Sequence, residues 1–290
     1  MELLWSSVEP YKFPNTQYTL RGYSRAAYMT SFVIPELDIM LDCGVPNAFF
    51  PQYVFITHGH IDHVFQLPLC SVKSARSKTI ITKKPTYYVP HEMCDHIDNF
   101  IFATYMMSKN NTNHRMRDTY DIVGVQFNDT FDLVLKKQHW KIQVFRCDHR
   151  TPCAGYGFNN IRKKLNAEYV GKTSNELKLL KQQGIDIMVD VDHHIFCYLG
   201  DSSIAVFDNT DIFNYNTIIV ECTYLYEDDI VHADKNKHIH WLQLEEIVHT
   251  HPHNIFILIH FSQRYSNSEI WAFFEHVQYK NIVIWCEKDK

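Results

Sequence analysis

The eight cysteines of this chain form no C-x-x-C pair and no tight framework; Cys43, Cys70, Cys94, Cys147, Cys153, Cys197, Cys222 and Cys286 are scattered along it. That excludes a disulfide-stapled scaffold and fits buried thiols in a reducing compartment. The first residues, Met1-Glu2-Leu3-Leu4-Trp5, carry an early acid and lead into no long apolar run, so neither a secretory signal nor a membrane span is expected. Gly/Ser linkers, low-complexity tracts and internal repeats are also missing, which points to a single domain over 1–290. A net charge of −5 with His neutral argues against a generic nucleic-acid binder. What the chain does have is 46% hydrophobic residues in 290, ample for a large buried core. The expectation is a soluble intracellular protein, cytoplasmic or nuclear, with no membrane contact.

Short β-branched and aromatic runs predict strands over 31–34, 39–41, 54–56, 142–145, 196–199, 217–220 and 255–259. Helical patterns fall between them, over 92–105, 174–183, 241–249 and 268–279, and the polar segment 108–118 reads as an exposed loop. Strands and helices interleaved over the whole length predict an α/β layered fold.

The stretch Thr57-His58-Gly59-His60-Ile61-Asp62-His63 carries three histidines and an aspartate as H-x-H-x-D-H. Imidazole nitrogen and carboxylate oxygen are ligands for divalent metals such as zinc, and four of them within six residues crowd a single ion. On a turn after the 54–56 strand, His58 and His60 face one metal while Asp62 and His63 face a second. Two metals need more ligands, and His or Asp just beyond other apolar runs supplies them: His149 after 144–145, Asp201 after 198–199, and His260 after 257–259.

This series, H-x-H-x-D-H, a lone His, Gly-Asp and a strand-terminal His, resembles the metallo-β-lactamase superfamily. Within it, His260-Phe261-Ser262-Gln263-Arg264-Tyr265 is similar to the H-F-S-x-R-Y segment of ribonuclease Z, the endonuclease that trims precursor tRNA 3′ ends. Asp148-His149 with Gly155-Tyr156, Leu41-Asp42-Cys43-Gly44, Glu221-Cys222-Thr223 and His238 also fall where that family has motifs, and the short, plant-like form matches best. The chain departs from the family at Ser202 in the G-D-T motif, at Val220 in H-E-A-T, and after His238 in H-S-T.

The resemblance implies a four-layer αβ/βα sandwich and two zinc ions, with manganese as the alternative. One ion would take His58, His60 and His149, the other Asp62, His63 and His260, with Asp201 bridging. It implies hydrolysis of a phosphodiester in precursor tRNA, with Asp62 orienting the nucleophile, His238 held by Glu221 as proton donor, and Ser262 and Arg264 on the phosphate. It also implies an RNA-clasping arm over about 158–196, and relatives of this kind tend to form homodimers. The window 150–184 is locally basic, seven basic against two acidic residues, and names Arg162, Lys163, Lys164 and Lys172 as arm contacts. Competing readings are another dinuclear hydrolase on the same scaffold, acting on a small phosphodiester or thioester, or an inactive RNA-binding module. His249, His251 and His253, the group His91, Cys94 and His96, and the pair His193 and His194 read as structural or surface residues; His240 stays outside the primary set.

Overall fold

Among the described residues there are fourteen strands where the sequence pattern showed only seven. The computed structural model describes residues 2–46, 49–76, 84–109 and 114–288. The first half runs α1 (Glu2–Trp5), β1 (Tyr11–Lys12), β2 (Thr19–Arg25), β3 (Met29–Ile34), β4 (Ile39–Leu41), β5 (Tyr53–Phe55), α2 (Ile61–Val64), α3 (Leu67–Arg76), β6 (Thr86–Pro90), α4 (Cys94–Lys109) and β7 (Asp121–Val125). The second runs β8 (Thr130–Leu135), β9 (Gln138–Cys147), β10 (Cys153–Leu165), α5 (Ser174–Gln182), β11 (Met188–Tyr198), β12 (Thr217–Glu221), α6 (Ile230–Asn236), α7 (Trp241–Thr250), β13 (Ile255–Ile259), α8 (Asn267–Glu275) and β14 (Ile282–Ile284). Each half makes one seven-stranded sheet in chain order. In both, the first four strands pair antiparallel and the last four parallel.

Strand alternation explains the layers. In β3 to β5, Phe32, Ile34, Ile39, Leu41 and Phe55 point toward the other sheet and meet Ile142, Val144, Tyr156, Tyr198 and Ile219 in the central core. Their sequence neighbours Val33, Met40 and Val54 point outward and are covered by Leu67 of α3 and by Ile97 and Ile101 of α4. On the second sheet Ile218, Val220, Phe256 and Leu258 point outward beneath Trp241 and Leu244 of α7 and Ile270 and Phe274 of α8. The result is the αβ/βα sandwich implied by the sequence. Parallel strands buried on both faces read as continuous apolar runs, which is why β12 and β13 were plain in the sequence. No described helix is long and apolar enough to cross a membrane.

Two expectations change. The 108–118 segment is not one loop: α4 runs to Lys109, a 3-10 helix covers His114–Thr119, and residues 110–113 lie outside those described. The arm is a two-stranded extension of β10 and β11, in which 159–165 pairs with 188–194 beyond a bulge at Phe158/Asn159. Its tip carries α5, started by a Thr173/Glu176 capping box. The return strand brings Asp186, Asp190 and Asp192 back alongside the basic residues, so 158–196 holds six basic and five acidic residues. Lys163 is already paired with Asp190 at 2.9 Å. The local positive charge read from 150–184 came from a window that stopped just before those acids.

Candidate metal centre

The seven candidate metal ligands sit at or just beyond strand ends, at the edge where the two sheets meet. After β5 the chain turns through Thr57 to His60, and α2 then presents Asp62 and His63. His149 follows β9, Asp201 follows β11, Glu221 ends β12 and His260 follows β13. Gly44 permits the closure, because a Cβ there would collide with the backbone carbonyl of Asp62.

The structure brings all seven expected metal ligands together. His60 Nδ1 stands 3.0 Å from His58 Nε2 and 3.3 Å from His149 Nε2, and Asp201 Oδ2 lies 3.6 Å from His58 Nε2. In the second group His63 Nε2 is 3.4 Å from His260 Nε2, and Asp62 Oδ2 is 3.6 and 3.5 Å from these two nitrogens. Asp201 joins both groups, with Oδ1 3.5 Å from His63 Nε2 and Oδ2 3.4 Å from His260 Nε2.

The hydrogen bonds behind these rings decide which nitrogen carries a lone pair. His63 Nδ1 is 2.8 Å from the Asp42 carboxylate, and His149 Nδ1 is 3.1 Å from the Lys237 carbonyl; both oxygens only accept, so both Nδ1 atoms must donate. Thr57 Oγ1 gives its proton to Asp42 and so accepts from His58 Nδ1 at 2.9 Å. Thr223 Oγ1 donates to Glu221 and accepts from His260 Nδ1 at 3.1 Å. In their neutral forms all four rings therefore aim a bare Nε2 inward, beside two carboxylates. Donors bonded to one ion at 2.0–2.1 Å in a tetrahedron stand about 3.3–3.4 Å apart, close to the spacings found here. Convergent lone pairs at that distance repel one another unless a cation lies between them, so the donor set fits a metal cofactor.

The electrostatics agree. His58, His63, His260, Asp62 and Asp201 are buried, whereas His60 and His149 are half-buried at the open side. Burial holds His58 well below its usual pKa, and His60 and His149 are also lowered chiefly by burial. Burial also pulls His63 down, but Asp201, Asp42 and Asp62 outweigh it and push it up to about 10: the inner end of the pocket demands positive charge. Asp201 and Asp62 stay well below the carboxylate range because, against burial, the histidines around them favour their ionised forms.

At the rim, His238 Nδ1 lies 2.8 Å from Glu221 Oε1, and its ring packs beside those of His149 and His260. Burial lowers His238, but the Glu221 charge and hydrogen bond, helped by Asp201, raise it to about 9. Glu221 is fully buried and is fixed by the backbone N–H groups of Ser202 at 2.8 Å and Ile239 at 3.1 Å. Arg264 is directed elsewhere: its guanidinium pairs with Asp229 at 2.5 Å, while Ser262 Oγ accepts from the Arg264 backbone N–H at 3.3 Å. His240 caps α7, accepting from Leu242 N–H at 3.1 Å with its other ring nitrogen 2.8 Å from the Tyr226 carbonyl. His251 stacks on Phe213.

Sequence reasoning gave no role to the residues that hold the ligands. Asp42, fully buried at the end of β4, accepts from Thr57 N–H at 2.8 Å, from Tyr198 OH at 2.5 Å and from His63. Its position in Leu41-Asp42-Cys43-Gly44, directly after an apolar strand, was the available signal. Thr57 and Thr223 stand within the quoted motifs in the same way, whereas Lys237 offered no signal, since it acts through its backbone carbonyl.

No protein-family model matches the chain. It is similar to tRNase Z TRZ1 of Arabidopsis thaliana, 27% identical over 259 residues covering 87% of this chain and 88% of that protein. Among solved structures, the metallo-beta-lactamase fold protein YhfI from Bacillus subtilis superposes with a TM-score of 0.57 at 12% identity, covering 92% of this chain and 95% of its own. The short form of human tRNase Z gives 0.53 at 19% identity, covering 83% and 92%. These two likenesses speak for the fold, and the plant relative adds a likeness in sequence. By sequence the chain is similar to ribonuclease Z proteins, and its architecture is the metallo-β-lactamase fold.

Proposed function

We propose that this protein is a metal-dependent endoribonuclease that removes the 3′ trailer from precursor tRNA. The observation that carries the reading is the Glu221–His238 pair at the open rim of a seven-ligand cluster, in a chain whose relatives are tRNase Z proteins. His58, His60 and His149 would hold one divalent ion and Asp62, His63 and His260 the other, sharing Asp201. Zinc suits this nitrogen-rich donor set, and manganese is the alternative. When bound, such ions lower the pKa of water toward neutrality and offset the charge of a phosphodiester.

The remaining work falls to the chain's own groups. The Asp62 carboxylate faces the same space as the His63 and His260 nitrogens, where it orients the attacking water. Attack in line on phosphorus expels the ribose 3′ oxygen, which leaves as an alkoxide unless protonated. His238 gives that proton from Nε2, its Nδ1–H staying on Glu221, whose buried charge stabilises the protonated ring beforehand. Ser262 and Arg264 contribute to phosphate binding, Arg264 by exchanging Asp229 for the substrate. Residues 1–290 act as one domain, with the 158–196 arm and its Arg162, Lys163, Lys164 and Lys172 contacting RNA. A homodimer is part of the same reading.

The test is purified protein with precursor tRNA carrying a 3′ trailer, with and without chelator. Cleavage at the trailer that stops with chelator and returns with Zn²⁺ or Mn²⁺ is expected. Chelator-insensitive cleavage, or none with metal present, would overturn the reading.

A further inference from the structure

Several strong cations on this molecule are already neutralised in place. Lys84, Arg117, Lys136, Lys141, Lys163, Lys237 and Arg264 each have an aspartate within ion-pair distance. Lys12, Lys137 and Arg162 are among the described cations that have no such partner, and all three line one open cavity of about 670 Å³. His139 and Lys163 line it too, and no aspartate or glutamate does. In a chain of net charge −5, three cations facing one concavity with no acid among its lining make a local positive field that favours an anion there.

The cavity is also ordered from below. Asn160, only 3% exposed, donates through Nδ2 to the His139 carbonyl at 3.3 Å and to Gln138 Oε1 at 3.4 Å. Tyr18 OH donates to the same Gln138 oxygen at 2.6 Å. This fixes Asn160 Oδ1, which accepts the Arg162 Nε–H at 2.6 Å and leaves the two terminal nitrogens of the guanidinium to the cavity. A planar fork pinned in this way is suited to two oxygens of one phosphate. At the rim, the β8–β9 turn places Lys136 and Lys137 both at positive φ, 46° and 68°. A two-residue hairpin turn of that kind favours Asn-Gly, and a left-handed non-glycine residue costs about 1–2 kcal/mol. Lys136 anchors the turn on Asp38 at 2.9 Å, and Lys137 is left facing the cavity.

We propose that this cavity is a second, non-catalytic site that binds phosphate groups, and that the occupant is the sugar-phosphate backbone of the RNA substrate. The proposal rests on the function proposed above. β9 runs from Gln138 at the cavity to Cys147 beside the metal ligands, and nine steps at about 3.3 Å put the two sites about 30 Å apart. A dinucleotide spans far less than that, so a structured RNA reaches both sites and a dinucleotide does not.

The experiment has three arms. Inorganic tripolyphosphate titrated by calorimetry should show, besides any binding at the metal centre, one component per chain that is weakened at least tenfold in Lys12→Gln/Lys137→Gln and in Arg162→Lys, which keeps the charge but loses the fork. Precursor-tRNA binding measured between 50 and 200 mM salt should be weaker in the double variant. Its log–log salt slope should be shallower by about 2, near 0.9 for each phosphate that the variant no longer neutralises. Hydrolysis of bis(p-nitrophenyl) phosphate, which needs only the metal centre, checks that the double variant is folded. Unchanged tripolyphosphate affinity overturns the site. Tripolyphosphate binding abolished with an unaltered tRNA slope overturns RNA as the occupant and assigns the cavity to a free phosphate ligand. If the native protein hydrolyses the small diester but neither binds nor cuts precursor tRNA, the proposed function fails, and the tripolyphosphate titration judges the cavity alone.

Discussion

Replacing Asp42 with asparagine should cost metal affinity although Asp42 is not itself a ligand. Its Oδ2 accepts from His63 Nδ1 at 2.8 Å, from Tyr198 OH at 2.5 Å and from Thr57 Oγ1 at 2.9 Å, the last of which also lies 3.1 Å from Oδ1, in a fully buried position. In Asp42→Asn one oxygen becomes an NH₂. If the amide keeps its oxygen toward Thr57 N–H, the NH₂ meets His63 and Tyr198. Tyr198 can rotate its hydroxyl and accept. His63 can satisfy the NH₂ only by accepting at Nδ1, which moves its proton to Nε2, the atom that faces His260 and Asp62. A protonated Nε2 cannot bind metal. Loss of such a histidine-orienting carboxylate weakens metal binding by about 10–100-fold, or roughly 1.4–2.8 kcal/mol. The alternative amide flip leaves Thr57 N–H without an acceptor, a cost of about 1–3 kcal/mol to the fold. Competition with a chromophoric chelator should therefore show one of two metal equivalents per chain weakened, with the His58, His60 and His149 group less affected. Two equivalents held as tightly as in the native protein, with unchanged Tm, would refute the tautomer argument.

His238→Ala should lower kcat for precursor tRNA by about 10²–10⁴-fold while elemental analysis still finds the native metal content; loss of a metal would instead make His238 a ligand. In Glu221→Gln the pH–kcat profile should lose its alkaline side first. His238 is protonated below its raised pKa of about 9 and inactive as a donor above it, so removing the carboxylate moves that limb to lower pH. Stripping the metal should lower Tm by several degrees, since a ligand at one hundred times its Kd contributes about 2.7 kcal/mol; a melting curve indifferent to chelator would contradict metal binding. Lys237→Ala should be less stable than Lys237→Gly by about 1 kcal/mol in denaturant unfolding, because residue 237 has φ +60° at the end of α6. Both lose the half-exposed pair with Asp148, so the difference isolates the backbone.

The candidate ligands were legible because their spacing is local or follows apolar strands: His58 to His63 lie on one turn, His260 directly follows β13, and Asp201 comes three residues after β11. What escaped is long-range. The Nδ1 partners of His63, His149 and His260 are 21, 88 and 37 residues away in sequence. Among strands, β10 was hidden by its composition. Gly155 and Gly157 weaken the strand pattern, and they are there because Leu199 and Tyr215 pack directly over them. Its outer half, Asn159 to Leu165, is polar because it leaves the sandwich for the arm. The arm's charge was misread for a related reason, as a hairpin's net charge belongs to both strands.

Three residues that build the centre, Asp42, Lys237 and His260, adopt left-handed backbone at φ 53°, 60° and 63° without being glycine. Each such residue costs on the order of 1–3 kcal/mol and persists only where its surroundings over-determine it. The restraints are different in kind. Asp42 is held through its side chain by Thr57, His63 and Tyr198; His260 by its own N–H, which donates to Ser24 Oγ at 3.1 Å; and Lys237 by its amine on Asp148 at 2.7 Å. Tyr198 and Asp42 belong to different sheets, as do His260 and Ser24, so two of these restraints cross the seam between the halves. The sheets can thus hold the ligand geometry by protein contacts, and a mutation at the seam, such as Ser24→Ala, should loosen the second group of ligands without touching a metal. Weaker binding at that group alone is the outcome that separates a centre preorganised by the seam from one that the metal assembles for itself.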